Sequence, residues 1–286
     1  MANIGVIGWG YVGHATGRGF ATNKKNSIFW YDKYKKSPNS QDEVIKNSEF
    51  IFICVPTPMF RDYSGMDMAI VKEVVGEIAP KVKGTEKILI IKSTVLPGLI
   101  KSFTEKYSGV NFAMNPEFLT QDNADTDFLK PSRTVIGASS KKVAERIKKL
   151  YKTILNKDQR YYLTDTTSAE IVKYMSNLML ASKVLLANEF YVLAEKLGVE
   201  YDEIRKMVEA DNRIGAHLKV PGPDGDLGFG GACFPKDMIG LLGYAKKNNI
   251  DMSALEGIWK KNTKIRKKKD WEKRDNAFGR GASKGK

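Results

Sequence analysis

Residues 3–13, NIGVIGWGYVG, constrain this chain more than any other stretch: a strand-length apolar run leads directly into Gly8, Gly10 and Gly13, at the entrance of a helical pattern. Gly8 permits the tight turn, Gly10 lets the backbone approach a pyrophosphate, and Gly13 lets strand and helix pack closely. The helix N-terminus then faces phosphate with its partial positive charge. Asp32 closes the next apolar run, SIFWYD, about 20 residues further on, where a carboxylate accepts from ribose hydroxyls and disfavours a 2′-phosphate. The combination predicts a dinucleotide site that prefers NAD, contacted by Gly8, Gly10, Tyr11, Val12, Gly13 and Asp32. Lys33, Lys35 and Lys36 lie close by and soften the preference against NADP.

The rest of the first half repeats the same alternation. Apolar runs at FIFICV, KILIIK, NFAM and TVIG are separated by stretches such as MDMAIVKEVVGEIA and SKKVAERIKKLYKTIL, whose apolar residues recur at helical spacing. This predicts an α/β fold, a doubly wound parallel sheet with helices on both faces. After about residue 165 the strand patterns stop. Thr167-x-x-Glu170 reads as a capping box opening a long helix that Gly198 ends. The expected layout is a dinucleotide-binding domain over residues 1–164, an all-α domain built on one long central helix over 165–265, and a basic disordered tail over 266–286.

Composition narrows the function classes. Cys54 and Cys233 are the only cysteines, too few for a disulfide framework and without partners for a metal site. With no basic, apolar leader at the start and charges interrupting the most apolar long segment, the expected context is cytoplasmic, with no membrane partner. The net charge of +14 is concentrated late, with 12 Lys/Arg against three Asp/Glu between Lys260 and Lys286. Such a tail could attract nucleic acid, but a solvated, disordered terminus is the expected reading, and nucleic acid is not expected as a partner.

Two further patterns carry chemistry. Lys173 and Asn177 are four apart and share a helix face that Leu180, Ala181 and Val184 continue, so a lysine and an amide fall on a buried face and require partners or a ligand. In GFGGACFPKD, Cys233 follows three glycines, and Pro235 suits the first helical position with Asp237 in the first turn. A helix N-terminus and Lys236 both favour a thiolate. A well-capped helix with an incidental cysteine fits these residues equally well.

Taken in order, GVIGWGYVG, ICVPTP, KSTVLPG, NPEFL, AEIVKYMSN and GFGGACFPKD resemble the UDP-glucose/GDP-mannose dehydrogenase family over residues 3 to about 265. The resemblance implies a Rossmann-like fold and an oxidoreductase of nucleotide-sugar metabolism and polysaccharide biosynthesis. Its reaction takes a sugar C6 alcohol to a carboxylate with two NAD in succession. It makes Cys233 the nucleophile of a thiohemiacetal and thioester. Lys173 and Asn177 become oxyanion donors, Asp237 a proton-transfer group paired with that lysine, and Glu117 with Thr94 the residues that position and activate the hydrolytic water. It places Val55, Pro56, Thr57, Thr94 and Lys236 at the cofactor. It places Phe118, Leu119, Lys173, Asn177, Arg213, Phe229, Gly230 and Gly231 at the substrate, Arg213 acting across a homodimer interface built on the long helix. Neither His14 nor His217 falls on a catalytic position of the family.

Two departures stand out. Gln121 occupies the position where the family commonly has a second glutamate, and an amide cannot take a proton from water. The family also usually continues into a third domain that clasps the nucleotide, so weaker affinity or a separate partner supplying that domain is expected. UDP-glucose is the expected substrate. The alternatives are a two-electron β-hydroxyacid-type dehydrogenase, which has no need of Cys233, and a truncated relative that binds NAD or nucleic acid without turnover.

Overall fold

The computed structural model describes residues 1–120 and 123–273. Gln121 and residues 274–286, on which two of the expectations above fall, lie outside the described residues. The chain divides into two compact units, Met1–Thr57 with Met68–Lys173, and Pro58–Asp67 with Tyr174–Lys286. This differs from the boundary read at residue 164: the first turns of the long helix count with the sheet, and a loop from within the sheet domain counts with the helices.

The first unit holds a seven-stranded sheet in the order β2-β1-β3-β4-β5-β6-β7. Its strands are β1 (Asn3–Ile7), β2 (Ser27–Tyr31), β3 (Phe50–Ile53), β4 (Ile88–Ile91), β5 (Asn111–Met114), β6 (Thr134–Ala138) and β7 (Tyr161–Thr164). The middle strands are short and wholly apolar because both faces are covered. On one face Ile4, Val6, Phe52 and Ile90 pack with Phe20 of α1 (Tyr11–Ala21) and with Val143 and Ile147 of α6 (Lys141–Tyr151). On the other, a Cβ at Gly5 would lie 2.7 Å from Val44 of α2 (Gln41–Asn47). The chain leaves β1 for β2 on one side and returns to β3 on the other. This is the strand-order reversal beside which open α/β sheets bind ligands.

The parallel expectation holds for every pairing but one: β5 and β6 pair antiparallel. Strand β7, which the sequence did not suggest, extends the sheet beyond β6. The carboxyl ends of β1 to β5 consequently share one edge, and Gly8, Asp32, Val55, Thr94 and Glu117 each follow one of them.

The helical expectations need three corrections. α7 runs from Thr166 to Leu197, 32 residues, and ends at Gly198 with φ +67°. Its first turn is capped by Asp165, whose side chain accepts from the backbone N–H (2.9 Å) and hydroxyl (2.6 Å) of Ser168. Glu170 is instead buried and accepts from the N–H groups of Gly98 (2.5 Å) and Ile100 (3.0 Å), capping α4 (Leu99–Lys106). Burial pushes its carboxyl up to about 7, with the two N–H bonds pulling the other way. The expectation of a disordered tail from residue 266 fails for the described residues 266–273. Arg266 is 5% exposed and Trp271, in a 3₁₀ turn over Asp270–Glu272, is 1% exposed against Met59 and Ile239.

The second unit is otherwise helical, with α7 followed by α8 (Tyr201–Glu209), α9 (Cys233–Lys247) and α10 (Ser253–Ile265). Its core joins Leu178 and Ala181 of α7, Phe229, and Met238 of α9. Among the described residues no helix is long and apolar enough to cross a membrane, and no cluster of His, Cys, Asp and Glu could hold a metal ion.

Candidate active site

The glycine turn fits a dinucleotide on its own geometry. Gly8 has φ +91°, and a Cβ there would lie 2.9 Å from the backbone of Cys54. A Cβ at Gly13 would lie 1.9 Å from the Gly8 carbonyl. Gly10 has nothing within 4 Å of the same position, which leaves its backbone open to a ligand. No side chain caps α1, whose N-terminus carries the partial positive charge that suits phosphate. Asp32 is set by two backbone donors, Trp9 N–H at 2.7 Å and Tyr34 N–H at 2.9 Å. Lys35 Nζ lies 2.6 Å from the Trp9 carbonyl, placing a cation at the glycine turn. Val55 is half-buried, Pro56 exposed and Thr57 buried, in the loop after β3. His14 packs edge-on against Trp9, and exposed His217 has φ +81°.

Beyond this, the carboxyl edge of the sheet carries a buried ionic group. Lys173 Nζ donates to Glu117 twice, to Oε1 at 2.8 Å and to the backbone carbonyl at 2.7 Å. Glu117 Oε2 accepts from the Leu119 N–H at 2.7 Å, so both carboxylate oxygens are engaged. Both residues are buried, at 3% and 8% exposure, as the helix-face pattern required of Lys173. Phe118 is half-buried, with the Arg133 guanidinium 4.1 Å from its ring centroid and Lys173 Nζ at 5.5 Å. Thr94 is buried in the turn that follows β4.

Lys92 went unassigned in the sequence although it opens the KSTVLPG motif. Its ammonium donates to Asn115 Oδ1 at 2.9 Å, to the Asn115 carbonyl at 3.3 Å and to the Tyr151 hydroxyl at 3.4 Å. Burial brings it down to about 8, against the opposing pull of the Glu117 carboxylate. Lys92, Asn115, Glu117, Phe128, Arg133 and Tyr151 line a cavity of the first unit. The only signal for Lys92 in the sequence was its place at the end of a strand.

The two cysteines separate cleanly. Cys54 is buried beneath the glycine turn, and burial pushes its thiol up to about 12, so it remains neutral and unreactive. Cys233 is partly exposed and is the first residue of α9. The helix thus starts two residues earlier than Pro235 suggested. Proline is tolerated at its third position because the first-turn N–H groups have no partner within the helix.

One turn along α9, Asp237 is fully buried; its Oδ2 accepts from Asn177 Nδ2 at 2.5 Å and its Oδ1 from Lys236 Nζ at 2.5 Å. The sequence had joined Asp237 to Lys173. Within its own unit the ionic partner of Lys173 is Glu117, and that of Asp237 is Lys236. Phe229 buries its side chain in the core with Leu178, Ala181 and Met238. Arg213 is exposed and pairs with Asp211.

The sequence model of the UDP-glucose/GDP-mannose dehydrogenase family's NAD binding domain matches residues 32–155, and that of its central domain residues 167–264. A UDP-glucose 6-dehydrogenase of Rickettsia bellii is 37% identical over 225 residues, 77% of this chain and 50% of that protein. A UDP-glucose dehydrogenase structure from Pyrobaculum islandicum superposes with a TM-score of 0.80 at 29% identity, covering 92% of this chain and 68% of that one. A UDP-D-ManNAc dehydrogenase from Pyrococcus horikoshii gives 0.78 at 25% identity, with the same coverage. The chain belongs to the UDP-glucose/GDP-mannose dehydrogenase family. It spans about half the length of the curated relatives it matches.

Proposed function

We propose that this chain carries the NAD-binding and catalytic parts of a nucleotide-sugar 6-dehydrogenase, with UDP-glucose as substrate. The observation that carries the reading is Cys233 as the first residue of a helix, partly exposed, one turn ahead of a buried Asp237 that Asn177 holds. A binding module has no physical need for that register. It is the register a covalent oxidation requires, with a thiolate favoured by helix dipole and fixed polar groups within one turn.

Bound NAD supplies the hydride acceptor, and two are consumed per sugar. At the first stage C6 loses a hydride and its hydroxyl a proton, which Asp237 passes on through water. The Cys233 thiolate then adds to the C6 aldehyde, and the oxygen that becomes anionic is met by Lys173 and Asn177 as fixed donors. Loss of the second hydride leaves a thioester on Cys233. Water placed by Thr94 and Glu117 adds to it, the C–S bond breaks, and the carboxylate departs as the thiolate is restored. Glu117, engaged at both oxygens, acts chiefly by holding Lys173 and the water rather than as a strong base.

NADH formation monitored by absorbance with UDP-glucose and NAD tests this. Two NADH per sugar are expected; one per sugar would favour a two-electron dehydrogenase, and none with NAD still bound would sink UDP-glucose as the substrate.

The reading includes a homodimer. Met175, Met179, Leu186, Phe190, Leu193 and Leu197 recur at helical spacing along α7 and are each at least half exposed. An apolar stripe of this length is expected to be covered. Sedimentation should give a dimer at micromolar concentration, and a monomer there would overturn the arrangement.

A further inference from the structure

The loop leading into Cys233 offers packing one large side chain, the buried Phe229, while Gly228, Gly230 and Gly231 on either side of it offer none. Its backbone is instead gripped by polar side chains from three separate elements. Asn188 of α7 accepts from the Gly228 N–H at 3.0 Å. Asn262 of α10 accepts from the Phe229 N–H at 2.8 Å and donates to its carbonyl at 3.0 Å. Asp270, in the 3₁₀ turn, accepts from the Gly231 N–H at 2.9 Å.

Asp270 is itself set by Arg266. The guanidinium donates to Asp270 Oδ1 at 2.9 Å, to the Lys268 carbonyl at 2.7 Å and to Asp224. Asp226 closes the far side by accepting from the N–H groups of Lys267 (3.0 Å) and Lys268 (2.6 Å). Asn188, Asn262, Asp226 and Arg266 are all at least nine-tenths buried. Buried amides and charges are costly unless fully used, and here they are used on one loop and its brace.

The glycines make the grip possible. A Cβ at Gly228 would lie 2.3 Å from Asn262 Oδ1, and one at Gly230 would lie 2.1 Å from an Arg266 guanidinium nitrogen and 2.4 Å from Asp270 Oδ1. At Gly231 nothing lies within 4 Å of that position, and its φ of +79° is what calls for glycine there.

We infer that Asn262 and the Arg266–Asp270 pair are positioning residues that hold the glycine loop and thereby aim Cys233. Arg266 and Asp270 lie past the stretch matched by the central-domain model, which ends at residue 264. The inference rests on Cys233 as the nucleophile, and its test is chosen to work even on a chain that turns over no known sugar.

Asp270→Ala and Asp270→Asn are compared with the unaltered protein by hydrogen exchange at the Gly231 amide, by the iodoacetamide alkylation rate of Cys233, and by kcat and KM. The alanine variant should speed Gly231 exchange at least tenfold, raise the alkylation rate severalfold, and lower kcat about tenfold with KM and NAD binding little changed. Asparagine keeps an acceptor for the Gly231 N–H but not the ion pair, and should fall between. A folded Asp270→Ala protein with unaltered exchange and alkylation overturns the inference. If that variant fails to fold, unaltered exchange, alkylation and kcat in Asp270→Asn overturn it, and an intermediate effect there supports it. Faster exchange and alkylation in a protein that never forms NADH would leave the hold of Asp270 on the glycine loop standing and count against the dehydrogenase reading alone.

Discussion

Cys233→Ser is expected to bind NAD as the unaltered protein does and to lose sustained NADH formation by at least about 10³-fold, since removing a covalent nucleophile ordinarily costs that much or more. Binding is not expected to suffer, because exchanging one sulfur for oxygen leaves the glycine turn and the hydrogen bonds of Asp32 unchanged. Serine keeps the shape of the side chain, but its hydroxyl is a far weaker nucleophile than a thiol. The aldehyde level can then be reached and not passed. Stoichiometry tells the two oxidations apart: any NADH from the variant should stop near one per sugar, against two for the unaltered protein. Cys54→Ser is the control. Its thiol is buried and neutral beside Thr16, so serine gives up buried apolar volume there and should lower the melting temperature modestly while leaving the two-per-sugar ratio intact. A serine variant at Cys233 that still yields two NADH per sugar would remove the thioester from the mechanism.

Strand positions were legible because they are buried on both faces. Runs such as FIFI and ILII admit little else between turn signals. Direction was not legible: TVIG reads the same whether β6 runs with β5 or against it, and only the pairing shows that it runs against. β7 was missed because Tyr161–Thr164 is partly exposed at the sheet edge and lacks a continuous apolar run.

The site divides in a similar way. Lys173, Asn177 and Cys233 stood out because local spacing betrayed them. Glu170 matched a local capping pattern, but its carboxylate serves N–H groups about 70 residues away. Asn188, Asn262 and Asp270 act on a loop 33 to 40 residues distant and leave no local trace. Glu117 as a partner of Lys173 went unseen for the same reason, since it reaches the lysine through the fold and not through the helix register.

That pair supports the second large effect. Lys173→Met should lower kcat by about 10²- to 10³-fold, the usual loss when a fixed donor to a developing oxyanion is removed. It should also destabilise the fold by about 3–5 kcal/mol, because Glu117 would remain a buried carboxylate with the Leu119 N–H as its remaining donor in this group. The two losses have different physical origins and can be pulled apart by a second change. In the double variant Lys173→Met with Glu117→Gln no buried charge is stranded, so most of the stability should return by urea denaturation. The catalytic loss should not return, since methionine offers no donor to C6 oxygen. A double variant recovering both stability and kcat would show that Lys173 serves only to neutralise Glu117. One recovering stability alone, while Glu117→Gln by itself keeps a kcat well above that of the double variant, would separate the structural ion pair from the oxyanion donor within a single side chain.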